Sequence, residues 1–166
     1  MKAKTARKLI AEYSKLLYEQ GYSVNSEGNI SIRLSENRIL ITPSNVLKKH
    51  VRPSDVVEIN MDGEKTAGKR KATTERFTHI EVYKQNSDIQ AVVHAHPPYV
   101  LAASVLGQNP FERPFLSEAA MFLSDVRWAP YARPSTRDGA ESIRDICAGT
   151  RTIVLDRHGT LTYAKD

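Results

Sequence analysis

The sequence has a single cysteine, Cys147, and no long apolar run. One cysteine excludes an intramolecular disulfide and is typical of a chain that folds in a reducing compartment. No apolar stretch approaches the roughly 18 residues that span a bilayer, so we predict no membrane partner. The basic N-terminal segment is amphipathic and lacks the continuous apolar stretch and small-residue cleavage site of a signal peptide. We therefore expect a cytoplasmic protein.

The sequence also lacks a concentrated charge. The net charge is +5 over 166 residues, and the one tight basic cluster lies at residues 69–71. No aromatic residue interleaves this cluster, and no nucleic-acid-binding signature follows it. A solvated surface turn explains the cluster better than a nucleic-acid patch. We predict no nucleic-acid partner, whereas a small anionic substrate would suit the mild positive charge.

Length and patterning predict one domain over residues 1–166, since no repeat, linker or low-complexity tract interrupts the chain. Hydrophobic periodicity predicts helices and strands that are mixed rather than arranged in repeating strand-helix-strand units. This mixture favours an antiparallel or mixed sheet covered by helices. The predicted helices span residues 3–20, 73–84, 97–106 and 137–147, and the predicted strands 30–34, 38–42, 56–60, 89–94, 126–129, 152–155 and 160–164.

Three histidines are candidate metal ligands. His94 and His96 stand at the end of a predicted buried strand, where residues two apart project from the same face. A neutral imidazole suits zinc, and a catalytic zinc site takes about three protein ligands and keeps one position open. His158 is the candidate third ligand, because it follows another predicted strand and precedes Gly159, which permits close approach. Ordinary hydrogen-bonding roles remain the alternative for all three.

Two glutamates are candidates for acid–base chemistry. Glu75 follows Thr73 and Thr74 at a predicted helix start, where hydroxyl and backbone N–H groups suit a phosphate. Glu75 would ligate a metal or act as a general base, and the alternative is a plain helix cap that favours the helix dipole. Glu118 lies in a stretch rich in Ala, Met, Phe and Leu. Apolar surroundings raise the pKa of a carboxylic acid, which suits proton transfer, whereas a helix capped by Ser117 is the alternative.

Two further segments place small polar groups at predicted strand ends. Residues 27–31 include Asn29, and residues 42–45 include Ser44 and Asn45. Ligand-binding loops commonly lie at such ends, although ordinary turn chemistry accounts for the same residue types.

Taken together and in this order, these groups resemble the class II aldolase/adducin family, in particular the fuculose-phosphate aldolase type. The resemblance covers essentially the whole chain and is carried by short motifs at residues 28–31 (GNIS), 41–44 (ITPS), 73–75 (TTE), 94–96 (HAH), 130–131 (PY) and 158–159 (HG). It implies an α/β fold of the αβα type, with a central, mostly antiparallel sheet flanked by helices. It also implies a homotetramer with active sites between neighbouring subunits.

The resemblance assigns roles to the candidate residues. Zinc would bind His94, His96 and His158, although other divalent metals can occupy such a site. Glu75 would be the metal ligand that leaves to move protons. The substrate phosphate would bind a cradle formed by Asn29, Ser44, Asn45, Thr73 and Thr74. The activity implied is cleavage of a sugar phosphate like fuculose 1-phosphate into dihydroxyacetone phosphate and an aldehyde, through a metal-stabilised enediolate.

Other activities within the same family are alternatives. Sugar-phosphate 4-epimerases usually carry aspartate at the position of Glu75, which disfavours them, whereas the methylthioribulose-phosphate dehydratase uses a glutamate in the region of Glu118. An adducin-like assembly domain without catalysis has no reason to keep the three histidines. Fuculose-type aldolases carry a tyrosine near the place of Phe115, where Glu118 is the nearest replacement. Family members normally continue past the His-Gly motif into a helical region, which we expect this sequence, ending at Asp166, to lack.

Overall fold

A twisted sheet forms the centre of the protein in this computed structural model, which describes residues 1–113, 117–123 and 125–165. Within these residues the eight strands are β1 (Asn29–Ser35), β2 (Arg38–Ile41), β3 (Val57–Ile59), β4 (Lys65–Ala67), β5 (Ala91–Ala95), β6 (Val126–Ala129), β7 (Thr152–Leu155) and β8 (Gly159–Ala164). The α-helices are α1 (Ala3–Glu19), α2 (Arg76–Gln85), α3 (Pro98–Val105), α4 (Ser117–Phe122) and α5 (Asp138–Glu141), and Lys48–His50 form a 3₁₀ turn. No helix in these ranges is long and apolar enough to cross a membrane.

The strand order is β4-β3-β2-β1-β5-β8-β7-β6, and each neighbouring pair is antiparallel except the parallel pair β6 and β7. The predicted α/β fold with a mostly antiparallel sheet is confirmed. Short connections explain much of this order, because β1–β2 and β7–β8 are adjacent hairpins. Strand β5 lies between β1 and β8, so its carboxyl end stands in the middle of the sheet.

Alternating side chains give the sheet two buried faces. On β2, Leu40 packs toward α1, whereas Ile39 and Ile41 pack toward α2. The α1 face is completed by Ile10 and the α2 face by Ile80, both buried. Fully burying an isoleucine side chain contributes about 1.5–3 kcal/mol, so each face stabilises the helix that covers it. The helices therefore lie on both sides of the sheet.

Several predicted elements have different bounds in the structure. Helix α2 begins at Arg76, not at residue 73, because Thr73 N donates to Thr42 O (3.2 Å) and extends the preceding segment along β2. The predicted helix 137–147 is helical only over Asp138–Glu141 and continues as hydrogen-bonded turns. Strand β4 was not predicted, because its three residues are exposed and carry no apolar alternation.

Candidate active site

The three candidate histidines converge on one point. Their ring nitrogens lie within 4.8 Å of one another, and Nε2 of His94 is 3.0 Å from Nε2 of His96. His94 is placed by β5 and His96 follows that strand, whereas His158 lies in the turn that leads into β8. The antiparallel pairing of β5 with β8 brings this turn beside the end of β5. Sheet topology thus joins a motif from mid-chain to one near residue 160.

Gly159 permits this approach. A Cβ atom added at Gly159 would stand 2.3 Å from the carbonyl oxygen of Ala95 and 3.0 Å from Cδ2 of His96. Any larger residue would push the turn away from β5. The short distance between His158 and the other two imidazoles therefore depends on a glycine at this position.

Burial and hydrogen bonding keep ring nitrogens available for a metal. The carbonyl oxygen of Thr160 accepts a hydrogen bond from Nδ1 of His94 (2.9 Å), which leaves the Nε2 lone pair of His94 free. Burial lowers the pKa of His94, and burial together with the neighbouring His94 and His158 lowers the pKa of His96 to about 4. Both imidazoles are therefore neutral at neutral pH, the form that ligates a metal.

Glu75 lies against the histidine cluster. Its Oε1 is 2.9 Å from Nε2 of His158, and its Oε2 is 3.4 Å from Nε2 of His94. The amide nitrogen of Asn29 donates to the same Oε2 (2.7 Å). Burial alone would raise the pKa of the Glu75 carboxyl, but the contacts with His158, His94 and Asn29 outweigh it and hold that pKa well below its usual range. The carboxylate is therefore ionised and contacts two of the three imidazoles, those of His94 and His158.

A cavity of about 280 Å³ opens beside the cluster. All five residues predicted to bind phosphate line it, together with Glu75 and two of the histidines. The lining consists of Ser26, Glu27, Asn29, Pro43, Ser44, Asn45, Thr73, Thr74, Glu75, His96, Pro134, Ser135 and His158. The polar loops identified in the sequence are thus brought together at the histidine cluster.

Backbone and side-chain bonds hold the cavity loops in place. Ser44 N donates to Lys71 O (2.9 Å), and Asn45 adopts a left-handed conformation with φ 55°. Asparagine is one of the few residues besides glycine that tolerates this conformation. The buried ammonium of Lys48 donates to Ser26 O (2.6 Å) and contacts Val46 O (3.4 Å). It therefore connects the loop that contains Ser26 with the loop that contains Ser44 and Asn45.

Three cavity residues, Ser26, Pro134 and Ser135, were not predicted from the sequence. Pro134 and Ser135 lie opposite the threonines, and Oγ of Ser135 is 2.7 Å from Oγ1 of Thr74. Ser135 has φ 65°, a conformation that serine seldom adopts. The segment carries no glycine to signal such a turn, and the motif at 130–131 ends before it. Lys48 was also missed, because lysine is rarely buried.

Glu118 is placed differently from what its sequence context suggests. Its side chain is exposed on α4, so among the described residues it does not have the apolar surroundings that were expected. Within the described part of the chain, no hydrogen bond or ion pair joins Glu118 to the histidine cluster. The apolar residues around it in the sequence, including Met121, are themselves largely exposed on this short helix. Phe115 lies outside the described residues.

Comparison with known proteins agrees with this arrangement. Residues 8–166 match the class II aldolase and adducin N-terminal domain. The chain belongs to this family. The predicted resemblance is therefore confirmed, as is the prediction that the chain is an enzyme of the class II aldolase type, a carbon–carbon lyase.

Relatives within this family carry several named activities. The chain is 33% identical to a 5-deoxy-D-ribulose 1-phosphate aldolase of Bacillus thuringiensis (96% of this chain, 75% of the relative). It is 30% identical to an L-fuculose phosphate aldolase of Methanococcus maripaludis (91% and 80%) and 29% identical to a 3-oxo-tetronate 4-phosphate decarboxylase of Haemophilus influenzae (96% and 77%). The solved structure of YgbL from Klebsiella pneumoniae superposes with a TM-score of 0.90 at 27% identity, covering 100% of this chain and 81% of that one.

Proposed function

We propose that the protein is a zinc-dependent aldolase that cleaves a sugar 1-phosphate, such as fuculose 1-phosphate, into dihydroxyacetone phosphate and an aldehyde. The observation that carries this proposal is the position of Glu75 between the three histidines and the polar cavity. A carbonyl substrate anchored by its phosphate in that cavity would reach both the histidine cluster and the carboxylate.

The described residues fit a divalent metal. Three imidazole nitrogens converge, a glycine gives them the room, and His94 is oriented by a backbone carbonyl. Three nitrogen donors with an ionised carboxylate nearby suit zinc, although geometry and supply also allow other divalent ions. When bound, the metal supplies a Lewis acid that stabilises negative charge developing on the substrate oxygens. His94, His96 and His158 would hold it.

The polar cavity fits the phosphate. Thr73 and Thr74 precede α2 and line the cavity. Their hydroxyls lie near the N-terminus of the helix, where the free N–H groups and the helix dipole attract anions. Ser44 and Asn45 supply polar groups from the opposite loop. One N–H of the Asn29 amide is bonded to Glu75, and its second N–H is a further donor for the phosphate. Charge-assisted hydrogen bonds of this kind are about twice as strong as neutral ones, so they anchor the substrate firmly.

Glu75 would move the proton that the reaction requires. In cleavage a proton leaves the hydroxyl of the carbon that becomes the aldehyde, and the carbon–carbon bond breaks. The electron pair stays on the three-carbon fragment as an enediolate, which then takes a proton on carbon to give dihydroxyacetone phosphate. Glu75 is ionised and is held by Asn29 at the edge of the cavity, so it is placed to carry a proton to or from this carbon.

Decarboxylation of 3-oxo-tetronate 4-phosphate is a second candidate, because the relative of that name aligns with 96% of this chain. When a 3-oxo acid loses carbon dioxide, the electron pair of the broken carbon–carbon bond stays on the carbon next to the ketone. The fragment that remains is the same three-carbon enediolate, and no hydroxyl proton has to be removed. The dehydratase of the same family stays an alternative on the presence of Glu118, which is exposed in this chain. The 4-epimerases usually carry aspartate at the position of Glu75, so the glutamate of this chain still disfavours an epimerase.

The family resemblance also leads us to propose a homotetramer in the cytoplasm. Light scattering coupled to gel filtration measures the assembly directly. A monomer at micromolar concentration would contradict the tetramer.

The deciding experiment measures dihydroxyacetone phosphate released by the zinc-loaded protein from fuculose 1-phosphate, 5-deoxyribulose 1-phosphate and 3-oxo-tetronate 4-phosphate. A chelated sample and the His94→Ala variant are the controls, and bound zinc is measured in each. We expect chelator-sensitive release from a sugar 1-phosphate. Release from the oxo acid alone would replace the aldolase with the decarboxylase, and His94→Ala protein with full zinc occupancy would contradict the metal assignment.

A further inference from the structure

A chain of buried polar side chains runs from the active site into the protein. Oδ1 of Asn29 contacts Nε2 of His79, and Nδ1 of His79 is 2.8 Å from Oγ of Ser31. The same Oγ is 2.8 Å from the hydroxyl of Tyr83. All four side chains are buried, and His79 is 0% exposed. The described chain leaves none of their buried polar atoms without a partner.

Only one arrangement of protons satisfies these contacts. Because the amide nitrogen of Asn29 donates to Glu75, the amide oxygen must face His79 and accept from Nε2–H. A neutral imidazole has one N–H, so Nδ1 of His79 must accept from the hydroxyl of Ser31. Because the Ser31 proton is used on His79, Tyr83 donates its one O–H to the Ser31 hydroxyl at 2.8 Å, and the carbonyl oxygen of Gln90 lies further away at 3.4 Å. Burial lowers the pKa of His79 to about 3, which agrees with a neutral ring.

We propose that His79 is a positioning residue that fixes the Asn29 amide so that its nitrogen, not its oxygen, faces the Glu75 carboxylate. If the amide turned over, its oxygen would face a carboxylate oxygen, and its NH₂ group would face the N–H of His79. An acceptor would then face an acceptor, and a donor would face a donor, in a buried site. Both hydrogen bonds of the Asn29 amide would be lost at once. Ser31 supports this role by holding the tautomer of His79.

The position of His79 on α2 connects its proposed role to Glu75. Glu75 directly precedes the helix, and His79 lies one turn further along. The helix that presents the carboxylate therefore also carries the group that orients the partner of the carboxylate. An apolar side chain would fill the same space without the cost of burying polar atoms, so packing alone does not explain the polar chain.

The first test concerns the hydrogen-bond direction and needs neither metal nor substrate. Long-range proton–nitrogen correlation spectra of ¹⁵N-labelled protein connect the ring nitrogens of each histidine to its carbon-bound ring protons and report which nitrogen carries the proton. We expect His79 to be neutral with its proton on Nε2. A proton on Nδ1 would reverse the direction of the chain and overturn the proposal.

The second test rests on the proposed function and compares three substitutions at His79. His79→Gln places an amide N–H near the position of Nε2, whereas His79→Asn is too short and His79→Leu has no donor. We expect a loss of about 10- to 100-fold in kcat for the Leu and Asn variants, a range typical of residues that orient a metal-site group. KM should rise as well, because a turned amide no longer offers its second N–H to the phosphate, and the Gln variant should recover most of both constants.

Val82→Ala is the matched control, because Val82 is a buried apolar residue of the same helix without a polar side-chain contact. It should lower the melting temperature and leave kcat unchanged. Wild-type kcat in His79→Leu, or equal losses in the Gln and Asn variants, would overturn the proposal. If the Leu variant does not fold, the comparison of Gln with Asn decides. If the wild-type protein releases no dihydroxyacetone phosphate, the aldolase proposal fails, whereas the spectra still decide the tautomer.

Discussion

Oε1 of Glu75 lies 2.9 Å from Nε2 of His158, although one residue precedes a helix and the other occupies a strand turn far along the chain. The contact forms because the pairing of β5 with β8 brings the turn that carries His158 beside His94, and Glu75 contacts both histidines. It puts a negative charge next to the neutral imidazole of His94 and beside His158 in a largely buried site. Such a carboxylate can serve as a metal ligand or as a base.

Glu75→Gln should retain metal and lose activity. The glutamine keeps the shape of the side chain and can still contact Asn29, but it cannot accept a proton. General acid–base catalysis typically contributes about 10²- to 10⁴-fold, so we expect kcat to fall by at least 100-fold with little change in KM. Steady-state kinetics and zinc analysis measure both effects. Glu36→Gln, at an exposed position in the β1–β2 turn, is the control, and wild-type kcat in Glu75→Gln would contradict the assignment.

Gly159→Ala should damage the metal site through backbone geometry alone. The added Cβ would stand 2.3 Å from the carbonyl oxygen of Ala95, so the turn carrying His158 must move. Overpacking of this kind costs about 1–3 kcal/mol of unfolding free energy, and we expect weaker zinc binding with it. Urea unfolding and zinc titration measure the two losses. Gly149→Ala is the matched control, because no atom of the described residues lies within 4 Å of its added Cβ. Equal zinc affinity in the two variants would argue against a His158 ligand.

Thr74→Val should weaken phosphate binding while leaving the metal site intact. Valine matches the shape of threonine but removes the hydroxyl that lies 2.7 Å from Oγ of Ser135 and faces the cavity. A hydrogen bond to a charged group contributes about 1.5–3 kcal/mol, so the inhibition constant of inorganic phosphate should rise about tenfold or more. Thr66→Val on the exposed strand β4 provides the comparison. If phosphate inhibits both variants equally, Thr74 does not belong to the cradle.

The metal-stripped protein should lose stability in mild acid. The pKa of His79 is lowered to about 3 and that of His96 to about 4, both chiefly by burial, whereas an unfolded histidine titrates near 6.5. A histidine with a depressed folded pKa contributes stability above its unfolded pKa, and this contribution is lost as pH falls through the window toward the folded pKa. Unfolding free energies should therefore decline from about pH 6.5 toward pH 4.

Urea unfolding at several pH values in the presence of chelator checks this decline. His79→Gln should reduce its slope, because one of the histidines whose pKa is lowered in the folded protein is gone. His50→Gln, which alters an exposed side chain, should leave the slope unchanged. A pH-independent unfolding free energy over this window would show that the two imidazoles are hydrated in the folded protein.

Local patterns in the sequence predicted the parts of the site that depend on local geometry. His94 and His96 were found because residues two apart on a strand share a face, and the strands around them were predicted from alternation. The start of α2 was misplaced, because the hydrogen bond from Thr73 to Thr42 joins segments far apart in sequence. Ser135 was missed for the same reason, since the segment between β6 and α5 brings it to Thr74, which is distant in sequence. Pairing between distant segments, rather than residue propensity, decided these positions.

The buried ammonium of Lys48 has a consequence for how a ligand enters. Burial lowers the pKa of Lys48 to about 8, yet the group remains largely charged at neutral pH and bonds to the carbonyl oxygen of Ser26. The backbone N–H of Lys48 also donates to Asn25 O (3.2 Å), so both ends of the residue join the same two loops. The polar cavity is thus assembled during folding, so the conformational entropy of its loops is lost before the substrate binds. Ligand capture should then resemble docking into a rigid receptor more than closure of a mobile lid.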